Sequence, residues 1–345
     1  MNLLYISCHS VLEYDELKLF HELGINVFSH GGYVDPRDDT GAVCHRPPLD
    51  IPYYPDLCAL ARACPKEALD MQLIEWADTI LFMGILEWTA ANWPRYAEAV
   101  RTSKKRVIWR SIGQSSPSME VGLRDLVPKG LELIRYSPVE KEISGYVDGW
   151  PMIRFYKDEE EFSGWTGEEE RIISVGQWVK HRDRYCGFTW FETATDGLPR
   201  MIIGPHNQEI ETMPSAMLPY DELKAALRKN RAFFYTGTYP APYTLGFIEA
   251  FMMGIPVIAI GPKLRNWYFG QGEDAYEVPN LIINNSSGFC SNNMRELQDM
   301  CKRVLNDYEL AAHMGKHGRE AAIREFGKAK IKEQWREFLL EGKAK

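Results

Sequence analysis

The sequence predicts an α/β protein built from two doubly wound domains, each a parallel sheet with helices on both faces. Three observations predict it. Short apolar runs suited to buried strands alternate with amphipathic helical stretches along all 345 residues. The alternation breaks once, at 157–170 (KDEEEFSGWTGEEE), an acidic stretch poor in aliphatics, and then begins again. A chain of this length also holds two cores of ordinary size.

In order, residues 3–7 read as the first strand. A helix follows with Leu12, Leu17, Phe20 and Leu23 on one face, stopped by Gly24, and 25–28 is the next strand. This βαβ opening implies a right-handed crossover. The span 30–56 begins with HGG, contains five prolines, has Arg37-Asp38-Asp39 at its centre and Tyr53-Tyr54 near its end. An irregular stretch this long reads as a functional loop or a surface excursion. After it come a helix at 66–77, a strand at 79–83, a helix at 94–102 opened by Pro94, a strand at 106–110, and strand-like segments at 131–135 and 152–155.

The acidic stretch reads as a solvated linker. Beyond it, strands are expected at 171–176, 201–204, 232–236, 257–260 and 281–284, with helices at 220–229 and 293–306 and a helical tail over 308–340. The stretch from Thr236 to Gly261 is the pivot of this half. A loop carrying Pro240 and Pro242 leads into an apolar helix with one carboxylate, Glu249, which ends at Gly254 before a buried strand. The N-terminus of such a helix favours an anion, phosphate above all.

Composition narrows the function. The net charge of −8 argues against a mainly electrostatic grip on nucleic acid or an anionic membrane. No apolar run reaches membrane-spanning length and the N-terminus does not read as a signal peptide, so the expected location is the cytoplasm. Seven scattered cysteines without a CxxC pair fit a reduced protein. Cys44-His45 with Cys58 and Cys64 matches no common zinc spacing, and Asp38-Asp39 reads as a solvated pair, so no metal site is expected.

Several residues stand out chemically. Glu249 lies about one turn inside its helix, among Ile248, Ala250 and Phe251, where few cores tolerate an unpaired carboxylate. Such a group suits the hydroxyls of a ribose. The segment Ser174–Arg184 leaves the strand at Gly176 and Gln177 and brings Lys180, Arg182 and Arg184 together in an otherwise acidic chain, a setting for a diphosphate. His206 follows another strand end and could meet a nucleobase. In the first half, His9, Ser10, Gly31, Gly32, Arg110 and Gln114 occupy the equivalent edge. No GxGxxG, no GxxxxGK[ST] and no Ser/His/Asp set is present.

On these residues the sequence resembles a retaining glycosyltransferase of the GT-B type, two Rossmann-like domains facing a central cleft, and within it family 4. FIEAFMMGIPVIAIG (247–261) is similar to that family's signature around its second glutamate. IISVGQWVK (172–180) is similar to the strand and loop opening its donor domain, and LPYDELKAALRKNRAFFYTG (218–237) to the helix and strand before the signature. NMRELQDMCKRVLND and AAHMGKHGREAAIREFG resemble its closing helices. The first half matches in outline, with YSPVEKEISGYV (136–147) in the place of the last helix before the linker.

The resemblance implies an acceptor domain over 1–156, a linker over 157–170, a nucleotide-sugar donor domain over 171–325, and a closing helix over 326–345 that packs back on the first domain. It implies that Glu249 binds the donor ribose, that the backbone of Tyr243, Thr244 and Leu245 meets the diphosphate, and that Lys180 and Arg182 neutralise the leaving group. Gly176, Gln177 and His206 complete the donor side. Two positions depart from the pattern. Ala241 stands where the family has an earlier glutamate, and Gln177 where it has an arginine.

The expected activity is metal-independent transfer of a hexose, with retention, from a nucleoside-diphosphate sugar (UDP-glucose-like first, a GDP-sugar second). No cofactor is expected, and the acceptor is open. A sugar-nucleotide epimerase, a non-catalytic nucleotide-sugar or glycan-binding protein, and a transferase acting on modified DNA bases are the alternatives.

Overall fold

Alternating apolar runs and helices fold as two α/β units. The structure is a computed structural model and describes residues 1–38, 46–103, 105–113, 116–269 and 275–342. Residues Met1–Phe155 and Ile331–Lys345 form the first compact unit, and Tyr156–Lys330 the second.

The first unit is a five-stranded parallel sheet of β1 (Asn2–Ser7), β2 (Asn26–His30), β3 (Thr79–Met83), β4 (Arg106–Arg110) and β5 (Leu131–Ile134), in the order β2-β1-β3-β4-β5. Its strands are buried on both faces, as apolar runs such as Leu3–Ile6 and Ile80–Phe82 require. Trp109 lies at the centre and donates its indole N–H to the Gly84 carbonyl at 2.7 Å. Trp335 and Phe338, from the helix Lys328–Leu339, join this unit's core, with Trp335 edge-on to Phe20 at 4.9 Å.

The second unit is a six-stranded parallel sheet of β6 (Glu169–Val175), β7 (Arg200–Ile203), β8 (Ser215–Ala216), β9 (Asn230–Tyr235), β10 (Val257–Ile260) and β11 (Phe289–Ser291), in the order β11-β10-β9-β6-β7-β8. Helix Leu245–Met253 connects β9 to β10 and ends at Gly254, whose φ of 83° is a left-handed cap that favours glycine.

Several expectations are corrected. The helix read as beginning at Pro94 runs from Leu86 to Ser103 with the proline inside it. Tertiary bonds hold its first turns: the Asn92 amide donates to the Lys66 carbonyl (2.7 Å) and accepts the Leu69 N–H (2.9 Å), and it donates within the helix to the Trp88 carbonyl (2.8 Å). Within 66–77 only Met71–Trp76 is helical, and a further helix, Pro55–Ala63, lies just before it. Residues 152–155 and 281–284 supply only isolated bridges, Arg135 to Met152 and Asn284 to Gly288. The acidic stretch is not simply solvated, because Lys157 and Phe162 are buried. The helical tail breaks at Gly327, whose extended backbone separates Tyr308–Phe326 from Lys328–Leu339.

Candidate functional site

Strand order locates the site. From β6 the chain moves outward one way through β7 and β8, then returns to β9 on the other side of β6 and continues through β10 and β11. The carboxyl ends of β6 and β9 are therefore the point of reversal, where open parallel sheets bind ligands. Helix 245–253 starts here: a side chain on Gly246 would lie 3.8 Å from Val175 Cβ and 3.9 Å from Phe233 Cζ.

The entry to that helix is fixed from below. Thr244 is its N-cap with extended backbone and no side-chain cap bond. Its N–H donates to the hydroxyl of Tyr235 at 3.0 Å. Burial pushes that phenol up to about 12, so a neutral oxygen accepts the bond. The Thr244 carbonyl takes the N–H of Phe247 (3.1 Å). Leu245 and Gly246 lead the helix, and their N–H groups have no carbonyl within it. Of the three backbone groups expected at a diphosphate, that of Thr244 is thus already engaged, and Tyr243 is buried with its ring edge-on to Phe326 at 5.2 Å.

Two loops form the next wall, after β6 and after β7. Gly204 has φ of 139°, and a side chain there would come within 2.2 Å of the Gly176 carbonyl, so only glycine allows the two loops to meet. Asn207 staples them. Its buried amide donates to the carbonyls of Gly176 (2.8 Å) and Gly204 (3.0 Å) and accepts the Val179 N–H (3.0 Å). The staple presents Trp178 and His206, exposed and side by side with ring centroids 4.9 Å apart. Both hold left-handed backbone, φ 50° and 61°, which costs a non-glycine residue energy. Gln177 is exposed beside them.

The third wall is the loop 236–244. Thr236 donates its hydroxyl to the Cys186 carbonyl, and the Tyr239 N–H donates to the Tyr185 carbonyl at 2.8 Å, so helix Asp183–Cys186 packs against this loop. Arg182 is that helix's half-buried N-cap. Lys180 is exposed and donates to the Glu209 carbonyl at 3.3 Å. From beyond β10, the buried Arg265 donates to the Ala241 carbonyl (2.6 Å) and lies over the Tyr276 ring at 4.4 Å. The position where the resemblance has a glutamate, Ala241, is therefore held by an arginine through its backbone.

Glu249 is buried in the helix, and its Oε1 lies 2.8 Å from the ammonium of Lys157, itself buried. The sequence reading has Glu249 without this partner, which lies 92 residues earlier in the chain.

No protein-family model matches the chain, and no curated protein matches it. Solved structures do. The chain is similar to HepE from Anabaena in complex with UDP-glucose, at TM-score 0.70 and 12% identity over 99% of this chain and 100% of that one. It is similar to sucrose-phosphate synthase from Thermosynechococcus elongatus, at TM-score 0.69 and 14% identity over 99% and 98%. It is also similar to a glycosyltransferase from Rickettsia africae, at TM-score 0.66 and 14% identity over 99% and 98%. The fold is GT-B.

Within the first GT-B unit, the predicted residues divide. His9 is exposed and caps helix Ser10–Glu22, its Nδ1 accepting the Leu12 N–H at 3.4 Å. Gly31 and Gly32 wrap a buried carboxylate: Glu13 accepts from the Ser29 hydroxyl (2.7 Å) and the N–H groups of Gly32 (2.8 Å) and Tyr33 (2.7 Å). A side chain on Gly31 would fall 2.2 Å from that carboxylate, which explains the glycine pair as a packing requirement. Burial pushes the Glu13 carboxyl up, and its three donors partly offset this. Arg110 departs from the expectation of an edge residue. It is wholly buried, paired with Glu16, donating to the carbonyls of Ile153 and Arg154 (3.1 Å each) and covered by the rings of Phe155 and Trp335. Gln114 lies outside the described residues, as do Asp39, Cys44 and His45.

Among the described residues no three His, Cys, Asp or Glu side chains converge as metal ligands. No described helix is long and apolar enough to cross a membrane. Asn207, Arg265, Tyr235 and Lys157 are the residues that sequence reasoning missed. The only signal for Asn207 was its place one residue after His206.

Proposed function

We propose that this chain is a glycosyltransferase moving a hexose from a nucleoside-diphosphate sugar, UDP-glucose-like in preference to a GDP-sugar, to an acceptor, with retention, without a metal, in the cytoplasm. The observation that carries the reading is the switch point between β6 and β9, where helix 245–253 starts beside Val175 and a stapled pair of loops leaves β6 and β7. The leading N–H groups of helix 245–253 would hold the diphosphate. Lys180 and Arg182 would offset the charge that builds on the leaving group of an oxocarbenium-like transition state. Trp178 and His206 would flank the base, and Glu249 would take the ribose. HepE, of the same fold, is solved with UDP and with UDP-glucose, which supports a uridine donor. In this reading residues 1–156 serve the acceptor, 157–170 link the domains and 171–325 serve the donor.

The test is donor hydrolysis and transfer with UDP-glucose and a panel of other nucleotide sugars in the presence of a chelator. Release of free diphosphate separates a transferase from an epimerase and from a non-catalytic binder. Glu249→Ala and Lys180→Ala are expected to lose activity, and full activity in both would remove the site assignment.

A further inference from the structure

We propose that Lys157 is a positioning residue that sets the Glu249 carboxylate for the ribose hydroxyls of a ribonucleoside diphosphate. The inference rests on the donor-site reading above and supplies the group that orients its anchor. Lys157 is the second residue of its unit and heads the acidic stretch. Its N–H donates to the Phe326 carbonyl at 3.2 Å, and residues 157 and 327 form a parallel bridge, so the stem of the side chain is fixed by backbone. The ammonium passes the Phe162 ring at 5.3 Å and ends 2.8 Å from Glu249 Oε1. Phe326 also packs edge-on against Tyr243 (5.2 Å) and Phe247 (6.4 Å), so one segment braces both the carboxylate and the entry to its helix.

Packing alone does not call for this pair. A buried ion pair is often replaceable by apolar residues of similar volume without loss of stability, whereas one buried charge left alone is costly. What the ammonium does supply is a partner that holds the carboxylate in one orientation, about a turn behind the N–H groups that lead the helix. A carboxylate accepts hydrogen bonds at both of its oxygens, so its orientation decides which hydroxyls it can meet. The chemistry selected is a vicinal diol on a nucleotide, hence a ribonucleotide over its deoxy counterpart.

Titration calorimetry of the full chain with UDP and 2′-deoxy-UDP, and in parallel GDP and 2′-deoxy-GDP, reads this preference directly. The protein is expected to prefer the ribonucleotide by about tenfold or more, the effect of one hydrogen bond to a charged group. Glu249→Gln and Lys157→Met should each cut that preference to about twofold or less, the double variant should cut it no further, and Lys157→Arg should keep most of it. Where Lys157→Met fails to fold because it strands the carboxylate, Lys157→Gln and the double variant Lys157→Met/Glu249→Gln carry the same readout. A folded Lys157→Met or Lys157→Gln protein that keeps the full preference while Glu249→Gln loses it overturns the inference and leaves the donor site standing. A preference untouched by Glu249→Gln, or a protein that binds neither nucleotide pair, removes the donor-site reading and the inference with it.

Discussion

Asn207 should be among the most sensitive positions in the second unit although it is not expected to touch substrate. Truncation to alanine removes three hydrogen bonds of 2.8, 3.0 and 3.0 Å and strands the carbonyls of Gly176 and Gly204 and the N–H of Val179. At about 1 kcal/mol net per bond the loss is ~3 kcal/mol, rising toward ~5 kcal/mol where the stranded groups stay dry. Asn207→Asp sharpens the case, since it keeps the acceptor for Val179 but turns an oxygen toward two carbonyls. It should cost at least as much as alanine. Urea unfolding gives the energy, and amide exchange at Val179 gives the local effect, with protection expected to fall in the alanine variant before the rest of the sheet responds. UDP affinity should fall in both variants, because the loops carrying Trp178 and His206 lose their register. An Asn207→Ala protein within about 1 kcal/mol of the parent, with Val179 still protected, would refute the staple.

Three further outcomes are expected. Arg135, buried against Glu120 at 2.7 Å and 3.7 Å from Glu140, should cost ~3–5 kcal/mol when replaced alone by methionine, and Glu120→Gln beside it should recover part of the loss in urea unfolding. His206→Gly relieves a left-handed backbone and should raise stability by ~0.5–1 kcal/mol while weakening UDP binding; stability and affinity rising together would count against the base-flanking role. Hydrogen bonds from Arg37 hold the Asp35 carboxyl down to about 2, below its ordinary 3.8. Its contribution is therefore present above about pH 4 and is lost as the pH falls through about 2. The stability gap between parent and Asp35→Asn should close across that window, and a gap unchanged from pH 5 to pH 2 would contradict it.

Elements set by local pattern were legible in the sequence. The strands at 79–83, 106–110 and 257–260 and the helix at 220–229 form with those bounds, because apolar runs and polar punctuation act within a few residues. The helix through Pro94 was not, because the bonds that hold its first turns come from Lys66 and Leu69. Arg110 read as an edge residue because Glu16, the carbonyls of 153 and 154 and the ring of Trp335 all come from elsewhere in the chain. The site shows the same limit. The Gly254-Ile-Pro-Val punctuation and the single carboxylate at Glu249 mark the helix and strand, but pairing Glu249 with Lys157 needs a contact across 92 residues and pairing Asn207 with Gly176 one across 31.

The first unit is assembled from two stretches of chain, and its core needs Trp335 and Phe338. During synthesis the second unit, contained wholly within Tyr156–Lys330, has all its strands available before those side chains leave the ribosome. Residues 1–155 must wait with Phe20 and Arg110 uncovered where the Trp335 ring later packs. An N-terminal half made alone would keep that apolar gap, and chaperone dependence during translation should concentrate there rather than in the second unit.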